Sequence, residues 1–408
     1  MVLKSFLEKY NNTSVVIKII IGIILGTIIA CVFPKAPWLC VFGDLFVGAL
    51  KGIAPILVFI LVISSLANGT KKHDGRFRTV IFLYILSTLV AAFCSVAASF
   101  LFPIDLALTS QIANAQAIPH GIGEIIHGLL IKIVINPLSS LSEGNYLGIL
   151  FWSIISGIAL REIASENTKN VLNDFAKCTS KVVLWIINFA PIGIFGLVYK
   201  AISTNGPEIF ITYGKLIILL VGCMLLVYFV ANPIIIFTLM KKNPYPLILR
   251  CFKDSGITAF FTRSSAANIP VNMALCEKLG LDKDLYSVSI PLGATINMSG
   301  AAVTISVMTM AAVHTLGVSV SFPLALLLSV LSTFAACGAS GIAGGSLLLI
   351  PLACSLFGIS NDIAMQVVGV GFIVGVIQDS LETALNSSSD VIFSTVADYY
   401  RQKSCDKY

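Results

Sequence analysis

The chain has 408 residues, of which 57% are hydrophobic and only 11% are charged, and its mean hydropathy is +0.95. A typical soluble domain carries about 25% charged residues, so this composition excludes a soluble globular protein and predicts a helical, polytopic membrane protein. The net charge of +6 does not indicate a nucleic-acid partner, because the basic residues lie in short segments between apolar runs, where they report topology.

The ten cysteines are scattered, mostly inside apolar segments, and the four histidines are isolated from them. No Cys-x-x-Cys pair and no Cys/His cluster with metal-ligand spacing occurs in the sequence. We therefore interpret the cysteines as small apolar residues, and we predict neither a disulfide framework nor a transition-metal site.

Apolar runs of about 20 residues, long enough to cross the hydrocarbon core, recur along the chain. A short amphipathic lead at 1–13 precedes them, and 104–121 contains no Lys or Arg. The stretch 122–137 is apolar but carries Lys132 and Pro137, and we leave its depth open. In the first 240 residues the sequence predicts six spans, at 15–34, 41–66, 79–103, 146–161, 182–199 and 213–240.

Basic residues alternate between the segments that follow these spans. The segments after the first and fifth spans carry one and two, and 104–121, after the third, carries none, whereas those after the second, fourth and sixth carry four each. By the positive-inside rule the latter segments, the amino terminus and the tail at 399–408 are cytoplasmic. The twelve residues on the predicted inner side are Lys71, Lys72, Arg76, Arg78, Arg161, Lys169, Lys177, Lys181, Lys241, Lys242, Arg250 and Lys253.

Two later segments are apolar enough to enter the membrane but are interrupted in the middle. The segment 254–276 is broken by Arg263-Ser264-Ser265 and by Pro270, and 321–358 is broken by CGASGIAGGS at 337–346. Non-helical backbone at membrane depth survives only where it packs in protein or lines a cavity. Each segment is therefore predicted to be a re-entrant hairpin of two half-helices, the alternative being a single kinked helix.

Each predicted hairpin precedes a long helix with a polar middle. The first helix, 284–313, contains TINMSG at 295–300, where local unwinding is expected. On the second, 361–398, four polar residues lie at about 0°, 40°, 340° and 20° around the axis and form one stripe. They are Asp379, Thr383, Asn386 and Asp390. Such a stripe is either a hydrogen-bonded seam with another helix or a site for a cation and a small zwitterion, and we favour the site.

Four motifs then identify a resemblance. TRSSAANIPVNM (262–273), PLGATINMSGAA (291–302), CGASGIAGG (337–345) and the D-x3-T-x2-N-x3-D stripe (379–390) resemble the dicarboxylate/amino acid:cation symporters, which include the glutamate transporters. The resemblance implies eight transmembrane helices plus two re-entrant hairpins in inverted repeats, a bacterial cytoplasmic (inner) membrane location, and a homotrimer surrounded by membrane lipid.

The resemblance also implies two regions. Residues 1–240 would form mainly a trimerisation scaffold, with the helices at about 79–103 and 213–240 as candidates for the transport domain. Residues 250–398 would form the core of a transport domain that moves like an elevator, with hairpin 254–276, helix 284–313, hairpin 321–358 and helix 361–398.

Carried over residue by residue, the resemblance implies a substrate site. Asp379 aligns with the aspartate that binds the substrate ammonium, and Thr383 and Asn386 align with groups near its α-carboxylate. The remaining contacts would come from the main chain of Arg263, Ser264, Ser265 and Ile342. The resemblance further implies two sodium sites, one formed by Gly293, Asn297, Asn386 and Asp390, and one formed by Thr295 with the carbonyls of Ala336, Cys337 and Ala339.

Departures from the family pattern indicate the branch. Glu382 stands where acidic-substrate members carry an arginine, and a negative charge there would repel aspartate and glutamate. Ser299 replaces an aspartate associated with a further sodium, and Ala301 replaces a threonine near the side-chain carboxylate. In these positions the chain resembles the serine/threonine–sodium symporter branch of the family. The resemblance implies sodium-coupled import of serine and threonine. We leave open whether Arg263 contacts substrate or pairs with Glu382 or Asp379.

Three alternatives remain. Within the family, the chain could carry acidic or broader neutral amino acids with sodium or protons. A channel is disfavoured because hairpin tips would occlude a continuous polar pore. An intramembrane enzyme is disfavoured because Asp379 and Asp390 lie about 16 Å apart along the helix, too far to share a proton, and no nucleophile–base pair is apparent.

Overall fold

The computed structural model describes residues 15–68, 75–108, 131, 133–339 and 344–405. Regular structure in these ranges is helical, and no strand occurs in them. In chain order the helices are α1 (Val15–Val32), α2 (Cys40–Ala67), α3 (Gly75–Leu101), α4 (Pro137–Glu143), α5 (Tyr146–Ile163), α6 (Glu166–Asn188), α7 (Ala190–Asn205), α8 (Ile209–Leu226), α9 (Asn232–Met240), α10 (Tyr245–Cys251), α11 (Ile257–Thr262), α12 (Ser265–Lys278), α13 (Lys283–Ile296), α14 (Ser299–Thr315), α15 (Phe322–Ala336), α16 (Ile350–Ser355) and α17 (Asn361–Cys405).

The described residues contain six helical runs long and apolar enough to cross a membrane, or seven if α6 and α7 count as one bent span. This confirms the prediction of a helical, polytopic membrane protein, while the count of eight spans stays a prediction. The six runs are Pro37–Ala67, Gly75–Leu101, Tyr146–Ile163, Ile209–Met240, Lys283–Thr315 and Asn361–Tyr399.

The fifth predicted span, 182–199, is wrong as a single helix. Helix α6 ends at Asn188, α7 begins at Ala190, and the two are bent by 54°. Pro191, in the first turn of α7, has no N–H to continue the α6 hydrogen-bond ladder, which explains the bend. The preceding basic segment is not a loop either: Ser165 caps α6 by accepting a hydrogen bond from the Thr168 N–H (3.3 Å), so the helix carries Lys169, Lys177 and Lys181.

One group of helices comprises α1, α2, α5, α6 and α7. Helix α2 packs against α5, α6 and α7, and α1 packs along α7. The close approach of α1 to α7 depends on Gly22, because a Cβ there would collide with the carbonyl oxygen of Pro191. Small residues of this kind let membrane helices approach closely.

A second group packs around α17. Its members include α3, α8, both limbs of the first predicted hairpin, α16 of the second, and α13 with α14, while α15 packs against α3 and α14. In the apolar window of the α13–α14 run 94% of the residues are buried, compared with 39% for α5. The α13–α14 run and α17 therefore form the centre of the protein.

The first predicted hairpin is present. Helices α10 and α11, joined by a π-helical segment at Phe252–Gly256, form one limb, and α12 forms the other. The turn lies at Arg263, whose φ of 52° is left-handed, and at Ser264, which caps α12. Pro270 was expected to be a second breaker, but it lies inside α12. A proline removes only one main-chain hydrogen bond there, and contacts with α13 and α17 hold the helix.

The two other expected interruptions also occur. Helix α15 ends at Ala336, residues 337–339 and 344–346 are non-helical, and a 3-10 turn at Leu347–Leu349 leads into α16. Helix α13 ends at Ile296 and α14 begins at Ser299, with Asn297 and Met298 in non-helical conformations. The unwinding predicted within 295–300 is thus confirmed.

Candidate functional site

The polar stripe of α17 is buried in the protein. Asp379, Thr383, Asn386 and Asp390 are between 1% and 6% exposed. A buried carboxylate needs hydrogen bonds or a counter-charge. The partners of the stripe therefore define the site.

Asp379 connects the two hairpins. One carboxylate oxygen accepts a hydrogen bond from Arg263 Nε (2.7 Å) at the first tip, and the other accepts one from the Gly344 N–H (3.0 Å) at the second. Asp379 is the only ion-pair partner of Arg263 among the described side chains. The structure thus decides one open point: Arg263 pairs with Asp379 and not with Glu382.

Glu382 is held by partners other than Arg263. Its carboxylate accepts hydrogen bonds from the Thr304 hydroxyl (2.7 Å), from the Ser346 hydroxyl (2.8 Å) and from the Gln378 amide, and the side chain is buried. Ser346 belongs to the second hairpin and Thr304 to α14, so Glu382 connects both elements to α17. The acid is held by neutral donors and not by a cation among the described residues.

The next turn of α17 contacts the α13–α14 break. The Asn386 side-chain oxygen accepts a hydrogen bond from the Gly300 N–H (2.7 Å), one of the unpaired donors at the start of α14. Its amide nitrogen lies 3.4 Å from the Met298 sulfur. The Thr383 hydroxyl donates to the Asp379 carbonyl (2.8 Å), an arrangement that leaves the lone pairs of Thr383 available as acceptors.

Asn297 and Asp390 form a buried, hydrogen-bonded pair of side chains. Asn297 Nδ2 donates to Asp390 Oδ1 (2.8 Å), and both side chains are almost completely buried. The other oxygen of each, Asn297 Oδ1 and Asp390 Oδ2, is buried without a hydrogen-bond partner. Gly293 lies against the pair, since a Cβ there would be 2.5 Å from Asp390 Oδ1. Hard, unpaired oxygen ligands of this kind fit a cation such as sodium.

The residues predicted for the second sodium site lie at the end of α13 and at the end of α15. Cys337 Sγ lies 3.5 Å from the Ile296 carbonyl oxygen, so the start of the second tip touches the end of α13 beside Thr295. The Thr295 hydroxyl donates to the Leu292 carbonyl (2.7 Å), and the Ala336 carbonyl accepts from the Ala339 N–H (3.0 Å). The structure therefore brings these residues to neighbouring positions. Ile342, predicted at the tip, lies outside the described residues.

The first hairpin is anchored to α17 by a cluster that the sequence interpretation missed. Asn268 and Asn272 on α12, Ser255 on the opposite limb and Ser387 on α17 are completely buried. Asn268 Nδ2 donates to Ser387 Oγ (2.9 Å), and Asn272 Nδ2 donates to the Ser387 carbonyl (2.8 Å). Their i, i+4 spacing within TRSSAANIPVNM was a visible signal. Next to this cluster, Ser265 is buried and Ser264 only half-buried at the tip.

Other partners could not be read from local sequence. Gly344, Ser346 and Thr304 donate to the two acids from distant segments, and only Gln378, one turn before Glu382, shares a helix with them. Tyr84 on α3 reaches the same region, with its hydroxyl 3.3 Å from the Asp390 carbonyl oxygen. Because these contacts link separate helices, only the fold assembles them.

Comparison with known proteins identifies the family of the chain. The model of the sodium:dicarboxylate symporter family matches residues 15–400, which includes every described site residue. The chain belongs to this family. Sodium:dicarboxylate symporter family proteins are transporters and not enzymes, which confirms the corresponding predictions.

Relatives within the family are similar over nearly their whole length. A protein from Bifidobacterium adolescentis is 59% identical over 393 residues, covering 96% of this chain and 91% of that protein. Proteins from Streptococcus agalactiae and Streptococcus thermophilus are 59% and 57% identical over 396 and 401 residues, covering 97% and 98% of this chain and 98% and 100% of theirs. All three are named "Serine/threonine transporter SstT".

Proposed function

We propose that this protein imports serine and threonine together with sodium across a bacterial cytoplasmic membrane. The names of the full-length relatives support the substrate class, and the family supports sodium coupling. The observation that carries the proposal is the placement of two buried acids on α17. Asp379 is hydrogen-bonded by both hairpins, and Glu382 stands where, by the family resemblance, acidic-substrate members carry an arginine.

Asp379 is proposed to bind the substrate ammonium. In this structure its counter-charge is the Arg263 guanidinium at 2.7 Å, which neutralises a carboxylate that would otherwise be costly to bury. A substrate ammonium can replace that partner at Asp379 and free the guanidinium to face the substrate carboxylate. Thr383 and Asn386, with the main chain of both tips, would complete the recognition of the amino-acid backbone.

Sodium is proposed to bind beside the substrate. Asn297 Oδ1 and Asp390 Oδ2 supply two buried, unpaired oxygens, and the carbonyls of Gly293 and Asn386 would complete the first site. Thr295 with Ala336, Cys337 and Ala339 would form the second. Because the transported amino acid is net neutral, sodium coupling carries positive charge inward, so an inside-negative potential should accelerate uptake.

Glu382 is proposed to exclude acidic substrates. The side chain is buried and held by Thr304, Ser346 and Gln378, so it is fixed in place. A substrate side-chain carboxylate near it would meet a like charge in a low-dielectric site. A neutral side chain avoids that cost, which favours serine and threonine over aspartate and glutamate.

The division into a scaffold and a moving transport domain is part of the same proposal. The packing of α1, α2, α5, α6 and α7 mainly against one another, and the packing of α3 and α8 against the α17 group, support it. A trimer and cytoplasmic termini are further expectations of the family resemblance and of the positive-inside rule. Distances between spin labels on α2 and α17, with and without sodium and serine, would test the relative movement.

The first test is uptake of labelled serine and, separately, aspartate into proteoliposomes, with and without an inward sodium gradient. We expect sodium-dependent serine uptake that Asp379→Asn and Asn386→Ala abolish. Asp254→Asn, which removes a carboxylate paired with Arg250 outside the site, is the matched control and should transport normally. Aspartate uptake without serine uptake would contradict the substrate assignment, and gradient-independent uptake would contradict the coupling.

A further inference from the structure

A groove between α2 and α6 lies apart from the transport site. It has a volume of about 450 Å³ and opens to the outside of the protein. Its wall contains polar, basic and apolar side chains from α6 and one leucine from α2. The main lining residues are Leu61, Asn173, Lys177, Ser180, Lys181 and Leu184.

The groove changes from polar to apolar along its length. At the polar end, the Asn173 side-chain oxygen accepts hydrogen bonds from the Ser64 hydroxyl (2.8 Å) and the Asn68 amide (3.0 Å). Beyond this end, the groove is lined by Leu61, one turn before Ser64 on α2, and at its far end by Leu184 on α6. Asn173 and Leu184 are about 16 Å apart along α6, so the groove crosses from a headgroup environment into a hydrocarbon environment.

Two lysines stand at the transition between these ends. Lys177 and Lys181 are one turn apart on the same face of α6, where like charges repel. Asp174 lies 3.5 Å from Lys177, and both side chains are largely exposed. Lys181 has no ion-pair partner in the described part of the chain. A bound anion would relieve the repulsion and supply the missing counter-charge.

Trp185 indicates the depth of the groove in the membrane. It follows Lys181 by one turn and is 57% exposed, and tryptophan is enriched at the membrane–water interface. The lysines therefore lie at headgroup level. By the positive-inside rule this end of α6 faces the cytoplasm, where anionic lipids attract basic residues.

We propose that this groove binds an anionic phospholipid. Lys177 and Lys181, with the Ser180 hydroxyl between them, would hold the phosphate, and one acyl chain would lie against Leu61 and Leu184. The ligand is a lipid and not a soluble phosphate, because the groove continues into an apolar end that an acyl chain can fill and a free phosphate cannot.

Trp185 can report on this site in the full-length protein. The chain has three tryptophans, so Trp38→Phe and Trp152→Phe leave Trp185 as the sole emitter. In phosphatidylcholine vesicles with increasing fractions of brominated phosphatidylglycerol, quenching gives the relative binding constant of the two lipids at this position. We expect phosphatidylglycerol to be favoured by about fivefold or more, since each lysine near an anionic surface contributes about that factor.

Matched variants distinguish lipid binding in this groove from nonspecific attraction by surface charge. Lys177→Gln with Lys181→Gln should bring the relative binding constant close to one, whereas arginine at both positions should preserve it. Lys278→Gln with Lys283→Gln removes two exposed lysines elsewhere and should change nothing. The proposal would be overturned if the parent bound both lipids equally, or if the glutamine variant kept the parent's relative binding constant. It would also be overturned if the control variant lost the preference as fully as the glutamine variant. Suppression of the preference by excess inorganic phosphate would indicate a soluble anion and overturn the lipid assignment.

Discussion

Replacing Asp390 by asparagine tests the proposed sodium site most directly. Asp390 Oδ2 and Asn297 Oδ1 are buried without hydrogen-bond partners, so a cation between them would interact with a full negative charge in a region that water does not reach. Two unit charges 4 Å apart attract by about 4 kcal/mol at an effective dielectric constant of 20. If half of that is lost to reorganisation, about 2 kcal/mol remains, which corresponds to roughly a 30-fold higher sodium concentration at half-maximal uptake.

The assay is serine uptake into proteoliposomes as a function of sodium, with choline keeping the ionic strength constant. Asp398→Asn is the matched control, because it makes the same change at another buried aspartate of α17, one that pairs with Arg76 at 3.2 Å. We expect the control to lower thermal stability and to leave the sodium dependence unchanged. A half-maximal sodium concentration for Asp390→Asn within about threefold of the parent would refute the assignment of this carboxylate as a ligand.

Three further predictions follow from the same contacts. Arg263→Met should lower the thermal midpoint more than the double variant Arg263→Met with Asp379→Asn does. Breaking a buried ion pair costs about 3–5 kcal/mol, whereas removing both charges leaves no unpaired buried charge; additive shifts of the midpoint would contradict the pairing. Gly293→Ala should abolish sodium-dependent uptake in an expressed, folded protein, because its Cβ would lie 2.5 Å from Asp390 Oδ1; normal uptake would argue against close packing there. Glu382→Gln should let aspartate inhibit serine uptake about 30-fold more strongly, since a like-charge repulsion of order 2 kcal/mol is removed; unchanged inhibition would show that another group excludes acids.

Most helix positions were predictable because a membrane helix is recognised from residues that are close together in the sequence. Helix positions follow from runs of apolar residues, and interruptions follow from charged, glycine-rich or polar insertions within them. The turn at Arg263-Ser264 and the break at Asn297-Met298 were both recognised in this way. Local signals failed where packing overrode them: Pro270 was tolerated inside α12, and the apolar run 182–199 was divided at Phe189.

By itself, the sequence determined the class of protein, the helical periodicity and the polar stripe of α17, because these depend on residues near one another in the chain. Only the tertiary structure decided which groups meet the stripe. Arg263 and Asp379 are 116 positions apart, and Thr304 and Glu382 are 78 positions apart. No periodicity specifies such partners, because a buried charge selects its counter-charge or donor from whichever helices the packing brings within hydrogen-bond distance.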